Sequence, residues 1–154
     1  MQNLSKNLPY KEFIRSRTAS KYGIDNTPTK EHLENGRAIA KHIFQPTRDF
    51  YGKPITVTSG YRSKALNDKI GGSQTSQHSK GEALDLDTLH DNTLIFFYIL
   101  NHLDYDQIIW EFGDDENPDW VHVSYKRNGK NRGQALRAVR SGGKVIYKPF
   151  YRGV

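Results

Sequence analysis

The period of hydrophobic and polar positions changes several times along the chain, and each change marks an element. From Pro28 to Phe44 the apolar residues Leu33, Ala40, Ile43 and Phe44 recur at roughly helical spacing, which predicts one helix. Thr27 offers a capping oxygen, Pro28 suits the first helical position, and Pro46 argues against extension. Gly52-Lys53-Pro54 reads as a turn; Ile55 to Ser59 then alternates with period two, a strand ended by Gly60. Ser63 caps a short helix through Ile70, stopped by Gly71-Gly72. Residues 73 to 81 are a polar loop. Ala83 to Asp87 alternates again, with Ala83, Asp85 and Asp87 on one face and Leu84 and Leu86 on the other. Asn92 to Leu103 reads as a buried helix, and Gln107 to Phe112 and Val121 to Tyr125 as strands separated by an acidic turn, Gly113 to Pro118. Ser141-Gly142-Gly143 suggests a hairpin leading into Lys144 to Tyr147, whereas residues 1 to 26 show no readable period. With no linker in sight, the expectation is a single α+β domain over 1–154: a mostly antiparallel sheet with helices packed on it, and a core over about 28–125.

Composition narrows the classes. A chain of 154 residues that is 35% hydrophobic and 12% aromatic can build one core, which excludes wholesale disorder. Its longest apolar run, Leu94 to Leu100, is far short of the ~20 residues a spanning helix needs, so no membrane span is expected. With no cysteine there is no disulfide framework, no thiolate ligand and no thiol nucleophile. The opening MQNLSKNLPYKEF lacks the apolar stretch of a secretion signal, so synthesis in the cytoplasm is expected, with another route to any site outside.

Charge is lopsided. Val123 to Val154 holds nine basic residues (Lys126, Arg127, Lys130, Arg132, Arg137, Arg140, Lys144, Lys148 and Arg152) and no acid. The preceding 122 residues hold 14 basic and 17 acidic ones, a net of −3. This basic segment, 126–154, points to an anionic partner such as nucleic acid, membrane or a wall polymer, or else to a solvated tail.

Three metal-ligand types stand in informative places. His78 precedes the second predicted strand, Asp85 lies within it, and His122 lies within the last of the main strands. Asp85 and His122 would point off one sheet face while Leu84, Leu86, Val121 and Val123 bury the other. A carboxylate inside an apolar strand is expensive unless paired or metal-bound. Two imidazoles and a carboxylate would fill three positions of a tetrahedral zinc and leave the fourth to water. Asp119, three residues before His122, could exchange a proton with that water, and Arg62 could clamp a substrate carboxylate or a developing oxyanion.

Ser76-x-His78-x-x-Gly81-x-Ala83-x-Asp85, followed by Asp119-Trp120-Val121-His122, resembles the signature of the D-alanyl-D-alanine carboxypeptidase family of zinc peptidases. Ser59-Gly60-Tyr61-Arg62-Ser63, Leu66-Asn67, Gly71-Gly72 and Gln107 to Glu111 fit as well, so the likeness covers about residues 55 to 125. The short phage-encoded members are the most similar. The resemblance implies zinc held by His78, Asp85 and His122, Asp119 as general base and acid, and Arg62 polarising the substrate carbonyl. It also implies substrate contacts from Ser76, Tyr61 and Trp120, and the small fold shared with the hedgehog signalling domain. Many members have Glu where this chain has Asp119, one methylene shorter. The implied substrate is bacterial peptidoglycan, cut as by a D-Ala-D-Ala carboxypeptidase or an L-Ala-D-Glu endolysin. The basic segment would then hold anionic wall polymers, and the cell wall would be reached through a phage holin or from a virion.

Three rivals fit parts of this pattern. A non-haem iron facial triad uses the same ligand types, usually with closer spacing. A catalytically silent wall-binding or virion module could be built on the same cradle. A nucleic-acid binder explains the charge but not the ligand spacing, so that partner is not expected.

Overall fold

The computed structural model describes residues 2–151. The aperiodic N-terminal segment folds into two short helices, α1 (Tyr10–Ile14) and α2 (Arg17–Tyr22). Helices of five and six residues are too short to repeat an apolar period, yet Phe13 is fully buried. Helix α3 (Lys30–Ile39) starts two residues later than the Thr27 cap predicts: Thr29 caps it, its hydroxyl accepting the His32 N–H at 3.1 Å. Thr27 precedes a proline, which disfavours helical backbone, and its own N–H donates to Asp25.

Pro46 does not end the helical run. Ala40–Phe44 forms a π-helical turn that continues into α4 (Gln45–Tyr51), with Pro46 in the first turn. Proline has no N–H to donate and its ring crowds the carbonyl four residues back. The wider turn accommodates both, with the Gln45 N–H reaching back five residues to the Ala40 carbonyl.

The sheet comprises β1 (Thr56–Ser59), β2 (Ala83–Asp87), β3 (Gln107–Glu111), β4 (Trp120–Ser124), β5 (Gln134–Ser141) and β6 (Lys144–Pro149). Their order is β1-β2-β4-β3-β5-β6, and every pairing is antiparallel except β3 with β5. Strand β3 stops at Glu111, one residue before the expected end, because Phe112 takes a left-handed φ of 55° and turns the chain. Strand β4 starts and ends one residue before the predicted bounds. Ser63 caps α5 (Lys64–Lys69) as expected, and α6 (Asn92–His102) is the helix read as buried. The polar loop holds a 3₁₀ turn, Gln77–Lys80.

One sheet face meets the helices. Leu84, Leu86, Ile108, Trp110, Val121 and Val123 pack with Ile95, Phe96 and Ile99 of α6, and with Phe13, Ile39 and Ile43. Burying each such side chain is worth roughly 1.5–3 kcal/mol, so this face fixes the strand register. By alternation, the intervening residues Asp85, Ile109, Glu111, Trp120 and His122 occupy the other face. Among the described residues, no helix is long and apolar enough to cross a membrane.

Candidate metal centre

The β2–β4 register sets Asp85 directly opposite His122. His78 reaches the same point from the 3₁₀ turn that leads into β2. One donor atom from each of the three lies within 4.8 Å of the others. Asp85 Oδ1 is 3.4 Å from His78 Nε2 and 3.0 Å from His122 Nδ1. The Gly60 carbonyl, 2.7 Å from His78 Nδ1, can only accept, so Nδ1 carries a proton and Nε2 presents its lone pair to Asp85 when the ring is neutral. A backbone carbonyl fixing a ligand imidazole in this way is the usual outer support of a metal site.

The backbone around the cluster is tightly fitted. A Cβ on Gly60 would lie 2.3 Å from the Phe13 carbonyl oxygen. Gly81, which closes the 3₁₀ turn, has φ +74°, and a Cβ there would lie 2.2 Å from the His32 carbonyl oxygen. Burial pushes the Asp85 carboxyl up, but the two imidazoles outweigh it and hold the group below the ordinary carboxylate range. An ionised carboxylate between two imidazoles suits a divalent ion that takes nitrogen and oxygen ligands, so the residues present fit zinc.

The cluster floors a cavity of about 980 Å³, also lined by Arg62, Ser76, Glu111, Trp120 and Tyr147. Arg62 is locked beside His78: its backbone N–H donates to the His78 carbonyl at 3.1 Å, and its Nη2 donates to Ser76 Oγ at 3.2 Å. Its Nε is buried without a partner among the described residues. Burial lowers the Arg62 pKa, and the Asp85 charge partly offsets this; guanidinium remains charged throughout the working pH range. Ser76 also caps the 3₁₀ turn by accepting the His78 N–H at 3.2 Å.

Two residues singled out in the sequence lie elsewhere. Tyr61 is buried, its hydroxyl 3.2 Å from His32 Nδ1, and it lines a separate cavity with Arg15 and Arg17 that also touches Arg62. Asp119 is exposed and does not line the metal cavity. It lies in the bend that leads into β4, one residue before the strand begins. Its carbonyl accepts from Asn92 Nδ2 of α6 at 3.1 Å.

Glu111 is the residue that the sequence pattern leaves without a role. It sits directly opposite Trp120 on the face that carries His122, only 7% exposed. Burial pushes its carboxyl up to about 7; the nearby His122 pulls against this and the Asp85 charge adds to it. The signal was present in Gln107 to Glu111, an apolar strand ending in an acid. Only the strand register shows which face that acid occupies.

The sequence pattern of the family described as Peptidase M15 matches residues 6–124. That span contains the three clustered residues, Arg62, Ser76 and Glu111, and it ends before β5. No curated protein matches the chain.

Proposed function

Because the chain belongs to the peptidase M15 family, whose members are zinc-dependent peptidases, we propose that it hydrolyses peptide bonds in the peptidoglycan stem and so lyses cell walls. The observation that carries this reading is the convergence of donor atoms from His78, Asp85 and His122 within 4.8 Å at the floor of an open cavity. The bond cut is of the D-Ala-D-Ala carboxypeptidase or L-Ala-D-Glu endolysin type, and the wall is reached after release by a phage holin or from a virion.

His78 through Nε2, His122 through Nδ1 and Asp85 through its carboxylate would hold zinc. When bound there, zinc acts as a Lewis acid, polarising a carbonyl and lowering the pKa of water from 15.7 to about 7. The remaining work falls to the chain. Arg62, fixed by Ser76 and carrying a free buried Nε–H, steadies the negative charge that builds on the carbonyl oxygen as the tetrahedral centre forms. Trp120 and Ser76 line the cavity where the peptide lies, and Tyr61, beside Arg62 in the chain, lines a second cavity that also touches Arg62. A carboxylate takes the attacking water's proton and returns it to the leaving nitrogen, the role for which the family resemblance offers Asp119.

Metal analysis and mass spectrometry of digested sacculi test this together. The expected result is one zinc per chain and new stem-peptide termini, with the metal lost in Asp85→Ala. Intact sacculi in the presence of the zinc-loaded protein would reject the peptidase reading. Stoichiometric zinc in Asp85→Ala would reject the ligand set.

A further inference from the structure

We propose that Tyr147 is a substrate-contacting residue that holds the sugar to which the stem peptide is joined, so that the hairpin of β5 and β6 sets the preference for a glycan-linked substrate. The proposal rests on the peptidase reading above and names a further part of the substrate. Three features of the fold carry it.

The first is register. Tyr147 of β6 pairs with Ala138 of β5, Ala138 with Glu111 of β3, and Glu111 with Trp120 of β4. Directly opposed residues share a face, so this row crosses four strands on the side that carries Asp85 and His122. Three strand spacings set Trp120 and Tyr147 about 14 Å apart at their backbones. The one residue between Glu111 and Tyr147 is Ala138, too short to shut the tyrosine off from the site. Tyr147 accordingly lines the cavity floored by the three clustered residues, although it lies beyond the matched span 6–124.

The second is availability. The Tyr147 side chain is exposed, and among the described residues its hydroxyl makes no hydrogen bond. Burial pushes that hydroxyl's pKa up, and the charges of Glu111 and Asp85 add to this, so the polar tip lies within the field of the site.

The third is rigidity. Just past β6, the Phe150 N–H donates to the Ala135 carbonyl at 3.0 Å, and its ring stacks on Trp110 with centroids 5.7 Å apart. At the other end of the hairpin Arg132 is fastened to the buried Asp106. The wall that carries Tyr147 is thus in place before substrate arrives, which spares the cost of ordering it on binding.

The chemistry of this end of the cavity selects a sugar. A peptide held by main-chain pairing needs a sheet edge, whereas the cavity lies on a sheet face, where the ladders already use the backbone groups. What this end presents is ring surface from Phe112, Trp120 and Tyr147, with one phenol O–H that can donate and accept. A pyranose offers the matching surfaces: a C–H face that packs on an aromatic ring and hydroxyls at its rim.

The test compares two soluble substrates, a stem peptide with its sugar attached and the same peptide without it. Parent, Tyr147→Ala and Tyr147→Phe are each measured for zinc content, thermal unfolding, kcat and KM. The parent is expected to show the lower KM for the sugar-bearing substrate. Tyr147→Ala is expected to raise that KM about tenfold and to lose the preference, with zinc still bound. Tyr147→Phe, which keeps the ring and loses the hydroxyl, is expected to fall between them. A parent that cleaves both substrates with equal KM overturns the proposal without recourse to any variant. So does a Tyr147→Ala protein that keeps the parent's preference, or one that loses both substrates equally, which would make the residue a peptide contact or a support of the hairpin. A zinc-loaded parent that cleaves neither substrate overturns the peptidase reading itself, and this subsite with it.

Discussion

At the scale of single residues, the site depends on a glycine whose importance lies in space rather than in φ. Gly60 supplies the carbonyl that orients His78, and a methyl group at its Cα would meet the Phe13 carbonyl at 2.3 Å. Gly60→Ala must therefore move either α1 or the carbonyl. Overpacking of this kind costs roughly 1–3 kcal/mol, and here the displacement reaches His78, a proposed zinc ligand. Denaturant unfolding and zinc titration of Gly60→Ala should show both lower stability and weaker zinc binding. Unchanged zinc affinity would mean that the Gly60–His78 contact does not orient the ring. The sequence shows Gly60 only as the end of a strand. Its neighbour Phe13 lies in a segment without a period, so that contact could not be anticipated. His78, Asp85 and His122 were legible because an acid inside an apolar alternation stands out. The face occupied by Glu111 depends on pairing that alternation alone does not specify.

At the scale of elements, the C-terminal segment is fastened to the sheet by one buried acid. Asp106 has no exposed surface, and it accepts from the Arg132 backbone N–H at 3.0 Å, from Arg132 Nε at 3.1 Å and from Arg132 Nη2 at 2.8 Å. Burial raises this carboxyl, yet the Arg132 contacts and the Lys126 charge outweigh it and leave the pKa lowered. A lowered folded-state pKa means that the stabilisation is present above the ordinary value of 3.8 and is lost as pH falls through the folded value below it. Asp106→Asn should cost about 1.5–3 kcal/mol near neutral pH, the range for hydrogen bonds to a charged group. The gap between parent and variant should narrow in urea titrations carried out well below pH 3.8. A gap that stays constant with pH would show that packing, not charge, makes the difference. The hairpin at Ser141-Gly142-Gly143 could be read from its glycines, which take φ of 56° and 78°. The parallel pairing of β5 with β3 could not, because it is fixed by the Asp106 anchor and not by any local pattern.

At the scale of the whole molecule, an asymmetry of charge along the chain is not the same as one in space. The basic segment is not a free tail: Arg127 pairs with Glu34, Arg132 and Lys126 with Asp106, and Arg137 with Asp115. Arg140 lies over the Phe112 ring at 4.1 Å. Much of the positive charge is thus folded back onto the acidic surplus of the first 122 residues. Among the described residues Lys130, Lys144 and Lys148 form no ion pair, while Arg152 lies outside the described residues. Two of these lysines flank the exposed Val145, Ile146 and Tyr147 on the outer strand β6. If anionic wall polymers hold the protein to its substrate, this strand is the surface available to them, and its few exposed charges should be strongly screened. The Debye length shrinks from about 8 Å at physiological salt to about 3 Å at 1 M. Binding of the full chain to purified walls should therefore weaken with added salt and fall further in the double variant Lys144→Ala/Lys148→Ala. Cleavage of a small soluble stem peptide should be unaffected, since neither lysine lines the metal cavity. Wall binding that ignores both salt and the double substitution would mean that the protein is held by its cavity alone, with the basic residues serving to fasten β5 and β6 to the sheet.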